Sequence, residues 1–224
     1  MKILVIEDEK ELAYDIVKYL SGENYRCEMA FDYESALEKI RLYQYDCVLL
    51  DLMLPGGDGL EILEHLRMQN KQDGVIIISA KNSLEDKIKG LHIGADDYIS
   101  KPFHQAELAA RIHSVIRRKQ FDNSNLITQN ELKIDLLSKT VTVDKETVVL
   151  TKKEYDLLLF FVGNKNRVLS KSALAEHLSG DLADMFDSHD FVYAHVKNLK
   201  KKLNEAGYAN YLKTIYGTGY KWEI

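Results

Sequence analysis

Three short runs in the first half of the chain are apolar at every position: Ile3-Leu-Val-Ile6, Cys47-Val-Leu-Leu50 and Val75-Ile-Ile-Ile78. A strand with one face in water alternates, so runs that do not alternate need cover on both faces. The segments between them carry helical spacing. Glu9 to Leu20 has Leu12, Ile16, Tyr19 and Leu20 on one side, and Ser35 to Leu42 has Ala36, Leu37 and Ile40. Leu60 to Met68, Leu84 to Ile93 and Ala106 to Arg118 are also helical, Tyr25 to Ala30 is a strand, and Tyr98-Ile99 is a short one. Five strands alternating with five helices predict an α/β domain with a parallel sheet covered on both faces. Pro55 to Gly59 is a loop, with Gly56, Gly57 and Gly59 read as turn glycines.

The pattern then changes. Gln120 to Asn125 is polar and without period, a linker. Glu131 to Asp135 and Lys139 to Val143 alternate with period two, and Thr147 to Leu150 continues them, as antiparallel strands with one wet face do. Thr151-Lys-Lys-Glu154 is a capping box ahead of the helix Tyr155 to Val162. Ser170 to Leu178 is a short helix, Ser188 to Ala206 a longer one stopped by Gly207, and Tyr211 to Ile224 a terminal hairpin around Gly217 and Gly219. This is a separate α+β domain. The division expected is 1–119, a linker at 120–125, and 126–224. At 224 residues, each part can bury a core of its own. The two Cys, Cys27 and Cys47, make no disulfide framework, and four apolar residues before Glu7 are too few for a signal peptide. No apolar run approaches the roughly 18 residues of a membrane span. A reduced cytoplasmic setting without membrane contact is the expectation.

The ends of the predicted strands carry the chemistry. Glu7 and Asp8 follow the first apolar run, Asp51 the second, Ser79 the third, and Lys101 follows Tyr98-Ile-Ser100. In an open parallel sheet that edge binds ligands. Clustered carboxylates repel one another unless a hard cation neutralises them, and an all-oxygen site suits Mg²⁺. With a hydroxyl and an ammonium alongside, such a site can hold a phosphoryl group while a carboxylate oxygen attacks phosphorus in line. Singly, each group has a plainer reading. Asp8 or Glu9 would be a solvated acid or helix cap, Ser79 a cap and Lys101 a surface charge. Together, at four strand ends, they are hard to assign to chance. A phosphate-cradling loop is ruled out after the first strand, where Glu7-Asp-Glu-Lys10 would repel phosphate, and no P-loop or dinucleotide glycine motif is present.

These residues sit in stretches that resemble a known family over nearly the whole chain. Ile3-Leu-Val-Ile-Glu-Asp-Glu, Val48-Leu-Leu-Asp-Leu-Met-Leu-Pro-Gly-Gly-Asp-Gly, Ile78-Ser-Ala-Lys and Gly94-Ala-Asp-Asp-Tyr-Ile-Ser-Lys-Pro-Phe resemble a response regulator of the OmpR/PhoB type. So do Glu107-Leu-Ala-Ala-Arg-Ile112, Leu150-Thr-Lys-Lys-Glu154 and Thr214-Ile-Tyr-Gly-Thr-Gly-Tyr220. The resemblance implies a flavodoxin-like five-stranded receiver domain followed by a winged-helix DNA-binding domain. It implies Asp51 as phosphoacceptor, and Glu7, Asp8, Asp51 and the backbone carbonyl of Met53 around Mg²⁺. Ser79 and Lys101 would contact the phosphoryl group, with room left by Ala80, and Tyr98 would be the switch aromatic. Pro102 resembles the family's cis-proline position. A sensor histidine kinase would be the donor partner, and stand-alone enzyme activity is not expected.

The resemblance also implies a surface for pairing on phosphorylation, made by Lys87, Ile88, Leu91, Asp97, Glu107, Ala109 and Arg111. The family pattern pairs Lys87 with Glu107 and Asp97 with Arg111 across two subunits. The plainer reading is a solvated face with intrachain pairs. In the second half, Val192, Val196, Leu199 and Leu203 form a core stripe, and the opposite face presents Asp190, Ala194, Lys197, Asn198 and Lys201, flanked by Tyr193 and Lys200. A basic helix face of this kind suits the major groove. The DNA-contacting set is then Tyr193, Ala194, His195, Lys197, Asn198, Lys200 and Lys201 on the helix and Tyr216 and Thr218 in the wing. RNA polymerase is a further candidate partner. Asp190, Asn198 and Tyr216 stand where many relatives carry Arg.

The net charge of −5 argues at first against a nucleic-acid partner. It divides unevenly: residues 1–120 hold 16 basic and 21 acidic residues, and residues 121–224 hold 14 of each. The acidity belongs to the first domain. Two other readings are a dimeric regulator that works without phosphorylation, and a phosphotransfer or interaction module that does not bind DNA.

Overall fold

A computed structural model describes residues 1–69, 71, 73–80, 84–121, 123–179, 188–208 and 211–224. Lys81 and Asp122, which belong to a motif and to the linker named above, lie outside the described residues. The chain divides into two compact units, Met1–Asn123 and Ser124–Ile224.

The first unit runs β1 (Lys2–Ile6), α1 (Lys10–Gly22), β2 (Arg26–Ala30), α2 (Tyr33–Leu42), β3 (Cys47–Asp51), β4 (Met53–Leu54), β5 (Gly57–Asp58), α3 (Gly59–Met68), β6 (Gly74–Ser79), α4 (Leu84–Ile93), β7 (Asp97–Ser100) and α5 (Gln105–Gln120). Five strands form one sheet in the order β2-β1-β3-β6-β7, every pair parallel. Helix α1 packs with α5, while α2, α3 and α4 form a second row. Leu4, Ile6, Val48, Leu50, Val75 and Ile77 join the core beneath α2 and α3. Their sequence neighbours Ile3, Val5, Leu49 and Ile76 point to the opposite face and are equally buried. Both faces are covered, which is why these strands do not alternate. A fully buried side chain of this kind stabilises by about 1.5–3 kcal/mol relative to exposure.

The Pro55–Gly59 stretch is more structured than a loop. It closes a two-strand hairpin, β4 against β5, with Met53 opposite Asp58. Gly56 alone of its glycines needs the left-handed backbone, at φ +90°. Gly57 and Gly59 are small for space rather than for turning. A Cβ on Gly57 would meet the Tyr33 ring at 2.4 Å, and one on Gly59 would meet the Asp51 carbonyl oxygen at 2.3 Å. Asp58 then caps α3 by accepting from the Leu60 N–H at 2.9 Å.

The second unit runs β8 (Leu126–Gln129), β9 (Leu132–Asp135), β10 (Thr140–Val143), β11 (Glu146–Thr147), α6 (Lys152–Gly163), β12 (Val168–Ser170), α7 (Lys171–Ser179), α8 (Ser188–Glu205), β13 (Leu212–Ile215) and β14 (Gly219–Trp222). Strands β11-β10-β9-β8 make an antiparallel sheet, and β12-β14-β13 a second one. The Thr151–Glu154 capping box is formed in both directions. The expected strand Thr147–Leu150 is paired through Thr147 and through the Val148 N–H, which donates to the Val141 carbonyl at 2.8 Å, and Val149 is exposed, because the chain leaves the sheet there to set Thr151 as the helix cap. Strands β8 and β12 were not expected. Each is four residues or fewer, and its partner strands supply the pairing.

Candidate functional site

The sheet register assembles the acidic site. Ile6 pairs with Leu50, so the residues that follow, Glu7 and Asp51, leave adjacent strands side by side. This is the crevice between β1 and β3 where the strand order reverses. Glu7 and Asp51 are buried and Asp8 is exposed, and one oxygen from each lies within 4.8 Å of the others. Lys101 follows β7, and its ammonium donates to Glu7 Oε1 and to Asp51 Oδ2, both at 2.6 Å. The Met53 N–H donates to Asp51 Oδ1 at 2.9 Å. The Lys101–Pro102 bond is cis.

The electrostatics follow from burial. Desolvation pushes the Glu7 carboxyl above its ordinary range, and the Asp51 charge adds to this, while Lys101 pulls the other way. Desolvation opposes the Lys101 charge, but hydrogen bonds to Asp51 and Glu7 more than offset it and leave the ammonium harder to deprotonate. Glu7 Oε2 is buried and has no hydrogen-bond partner among the described residues. Lys101 bonds two of the three carboxylates, and Glu7 Oε2 is left as a buried acceptor for a further donor or cation. The donor set fits a divalent ion with oxygen preference.

Ser79 ends β6 and is fully buried. Its hydroxyl is hydrogen-bonded to that of Tyr98, whose half-buried ring packs on the core and lies 5.5 Å under the Lys87 ammonium. Ala80 follows Ser79 and is exposed. On the 84–111 surface, Ile88 and Leu91 are 43% and 47% exposed, and Ala109 is partly exposed. Arg111 bonds Asp97 at 2.9 Å and Glu107 at 2.8 Å within its own chain. The Asp97–Arg111 pair is therefore made intrachain in this structure, and the Lys87 ammonium lies over the Tyr98 ring.

In the second unit, Val192, Val196, Leu199 and Leu203 of α8 are buried, and Asp190, Ala194, Lys197, Asn198 and Lys201 are exposed on the other side. Tyr193 is 57% and Tyr216 95% exposed, and Thr218 stands beside Tyr216 at the hairpin tip. His195 is partly buried, edge-on to Phe191 at 4.6 Å, and burial together with the nearby Lys153 lowers its pKa. It packs toward α6, which carries Lys153 over the Phe191 ring at 4.1 Å. One link was not read from the sequence: Lys202 of α8 donates to Glu154 Oε2 at 2.7 Å and joins the capping box to the helix that carries the exposed face. The box itself is a local motif, but its partner lies 48 residues away.

Residues 3–113 match the family described as response regulator receiver domain, and residues 144–222 match transcriptional regulatory protein, C terminal. The chain is a two-component response regulator of the OmpR/PhoB type. It is 38% identical over 221 residues to the response regulator ArlR of Staphylococcus haemolyticus, covering 97% of each chain. It is 36% identical over 221 residues to the cell cycle response regulator CtrA of Brucella anthropi, covering 98% of this chain and 94% of that one. The solved receiver domain of a Francisella response regulator is 40% identical, with a TM-score of 0.51, over 52% of this chain and 97% of that one. The regulator thus couples a receiver to a DNA-binding transcriptional domain. Among its described residues no helix is long and apolar enough to cross a membrane.

Proposed function

We propose that this response regulator is switched by transfer of a phosphoryl group from a partner kinase's phosphohistidine to Asp51. An Asp51 carboxylate oxygen attacks phosphorus, the P–N bond breaks, and the imidazole leaves with its electron pair. The observation that carries this reading is the convergence of Glu7, Asp8, Asp51 and Lys101 at one strand edge. Glu7, Asp8, Asp51 and the Met53 carbonyl would hold Mg²⁺, which neutralises phosphoryl oxygens when bound. Lys101, already on Asp51, is placed to follow the phosphoryl oxygens. Ser79 would exchange its Tyr98 bond for a phosphoryl oxygen, and Tyr98 would then repack and alter the 84–111 surface. Slow hydrolysis of the aspartyl phosphate is the only turnover assigned to the protein.

The receiver comprises 1–119, the linker 120–125 and the winged-helix domain 126–224. Two phosphorylated receivers pair through Ile88, Leu91 and Ala109, with Arg111, Asp97, Glu107 and Lys87 exchanging intrachain for intersubunit bonds. The paired winged helices engage neighbouring DNA half-sites through α8 and the wing, with RNA polymerase as a downstream contact. A reduced cytoplasmic setting suits this chemistry and the two free thiols. The test is labelling by acetyl phosphate. Mg²⁺-dependent incorporation should be lost in Asp51→Ala, and incorporation that survives the change refutes the assignment.

A further inference from the structure

We infer that α8 reads A·T base pairs in each half-site, with Asn198 taking an adenine and Ala194 a thymine methyl. The inference rests on the DNA-binding reading above and adds the base class to it.

The outward strip of α8 is Asp190, Ala194, Lys197, Asn198 and Lys201, all exposed opposite a buried stripe. It contains no arginine, and Arg167, outside α8, is the sole arginine from 124 to 224. The arginine fork that most rigidly reads guanine is therefore missing from this face, which leaves Lys197 and Lys201 as its donors. The Asn198 amide makes no hydrogen bond to a described residue, so both its donor and its acceptor face outward. An adenine edge presents an N7 acceptor and an N6 donor, which match an amide in pairs. A guanine edge presents two acceptors, N7 and O6, and one would oppose the Asn198 carbonyl. Ala194 lies one turn earlier on the same strip and offers only a methyl, whose favourable partner in the groove is the thymine methyl. Four residues of helix rise by about 6 Å, close to two base-pair steps of about 3.4 Å, so both contacts fall within one half-site.

The charges on the strip serve placement, and the base choice falls to Asn198 and Ala194. Asp190 stands in the first turn, where a carboxylate favours the helix dipole but offers acceptors only. It opposes phosphate, and its acceptors suit the amine of cytosine or of adenine. Lys197 and Lys200 have no ion-pair partner among the described residues, and Lys201 has only an exposed contact to Glu205 at 3.7 Å. We assign these flexible point charges to phosphates, contacts that position the helix without reading sequence.

The experiment uses the full chain treated with acetyl phosphate and Mg²⁺. Binding-site selection from randomised duplexes should enrich A·T pairs at the centre of each half-site. In the selected duplex, replacing one adenine by 7-deazaadenine removes N7 alone and should weaken binding by roughly 2- to 13-fold, half the free energy of one bidentate contact. The same replacement should have no effect on Asn198→Ala, which is exposed and keeps the fold. Uracil in place of one thymine, lacking only the methyl, should weaken binding as well. Guanine at the selected positions, or an Asn198→Ala protein with unchanged base preference, overturns the inference. Binding without base preference overturns it while leaving the DNA-binding reading intact, and failure to bind any duplex overturns both.

Discussion

Lys202→Met should destabilise the C-terminal unit by about 1–3 kcal/mol at neutral pH, and it should do so through Glu154. Glu154 is only 2% exposed, and its Oε2 accepts from Lys202 at 2.7 Å and from the Thr151 N–H at 2.8 Å. Stranding a fully buried charge costs about 3–5 kcal/mol. The Lys202 side chain is 35% exposed, so water replaces part of what it supplies, and the Thr151 bond stays; the smaller range reflects both. The pH dependence identifies the mechanism. Burial alone would raise the Glu154 pKa, but Lys202 and Thr151 outweigh it and hold the carboxyl below its ordinary 4.5. A depressed folded-state pKa contributes stability above the unfolded value and loses it as pH falls through the folded one. In Lys202→Met burial dominates, the pKa rises, and stability is lost as pH climbs above 4.5 instead. The gap between the two proteins should therefore widen from pH 4 to pH 7. Urea denaturation followed by tryptophan fluorescence measures it, because the chain has 1 Trp, Trp222, buried in this unit among Phe161, Tyr208 and Tyr211. Adding Glu154→Gln should recover at least half of the loss. A loss below about 0.5 kcal/mol, or one equal at pH 4 and pH 7, refutes the reasoning, since either puts the energy outside the buried carboxylate.

Gly59→Ala should destabilise the receiver by about 1–3 kcal/mol, because its Cβ meets backbone of Asp51 and Leu52 rather than a movable side chain; thermal unfolding by circular dichroism checks it, and a neutral result excludes the close-packing account. Asp73 is 7% exposed, with burial raising its carboxyl from 3.8 to about 6. A raised folded-state pKa of an acid loses stability as pH climbs between those values, so Asp73→Asn should gain up to about 3 kcal/mol over the parent at pH 7.5 and nothing near pH 4. Calorimetry at the two pH values reads the difference. Arg111→Ala should change receiver stability by about 1 kcal/mol or less, since one of its ion pairs is exposed and the other only partly buried, yet weaken phosphorylation-induced pairing measured by light scattering.

Much of the receiver was legible because its strands are buried on both faces. Ile3–Ile6, Cys47–Leu50 and Val75–Ile78 announce themselves as unbroken apolar runs, and the helices between them keep their period. Strands β8 and β12 were not legible, since four or three residues with one buried side chain carry too little pattern, and long-range pairing makes them strands. Gly57 and Gly59 look the same in a sequence as glycines that turn the chain. Only the positions of Tyr33 and of the Asp51 backbone show that volume, not φ, is the constraint. His195 stands beside the apolar stripe of its helix, and packing sets its ring against Phe191.

By itself the sequence determined which chemistry was on hand: carboxylates at the ends of apolar runs, an ammonium after a later strand, and a helix with one apolar and one polar face. Those are local properties, written in side-chain type and period. The tertiary structure decided which groups meet. Parallel register put Glu7 beside Asp51, and Lys101 reached both across 94 and 50 positions of chain. It also decided that Arg111 spends its charge on Asp97 and Glu107 within one chain, and that Glu154 ties its cap to Lys202. Such pairings depend on distances set by packing between segments far apart in sequence, which no local pattern encodes.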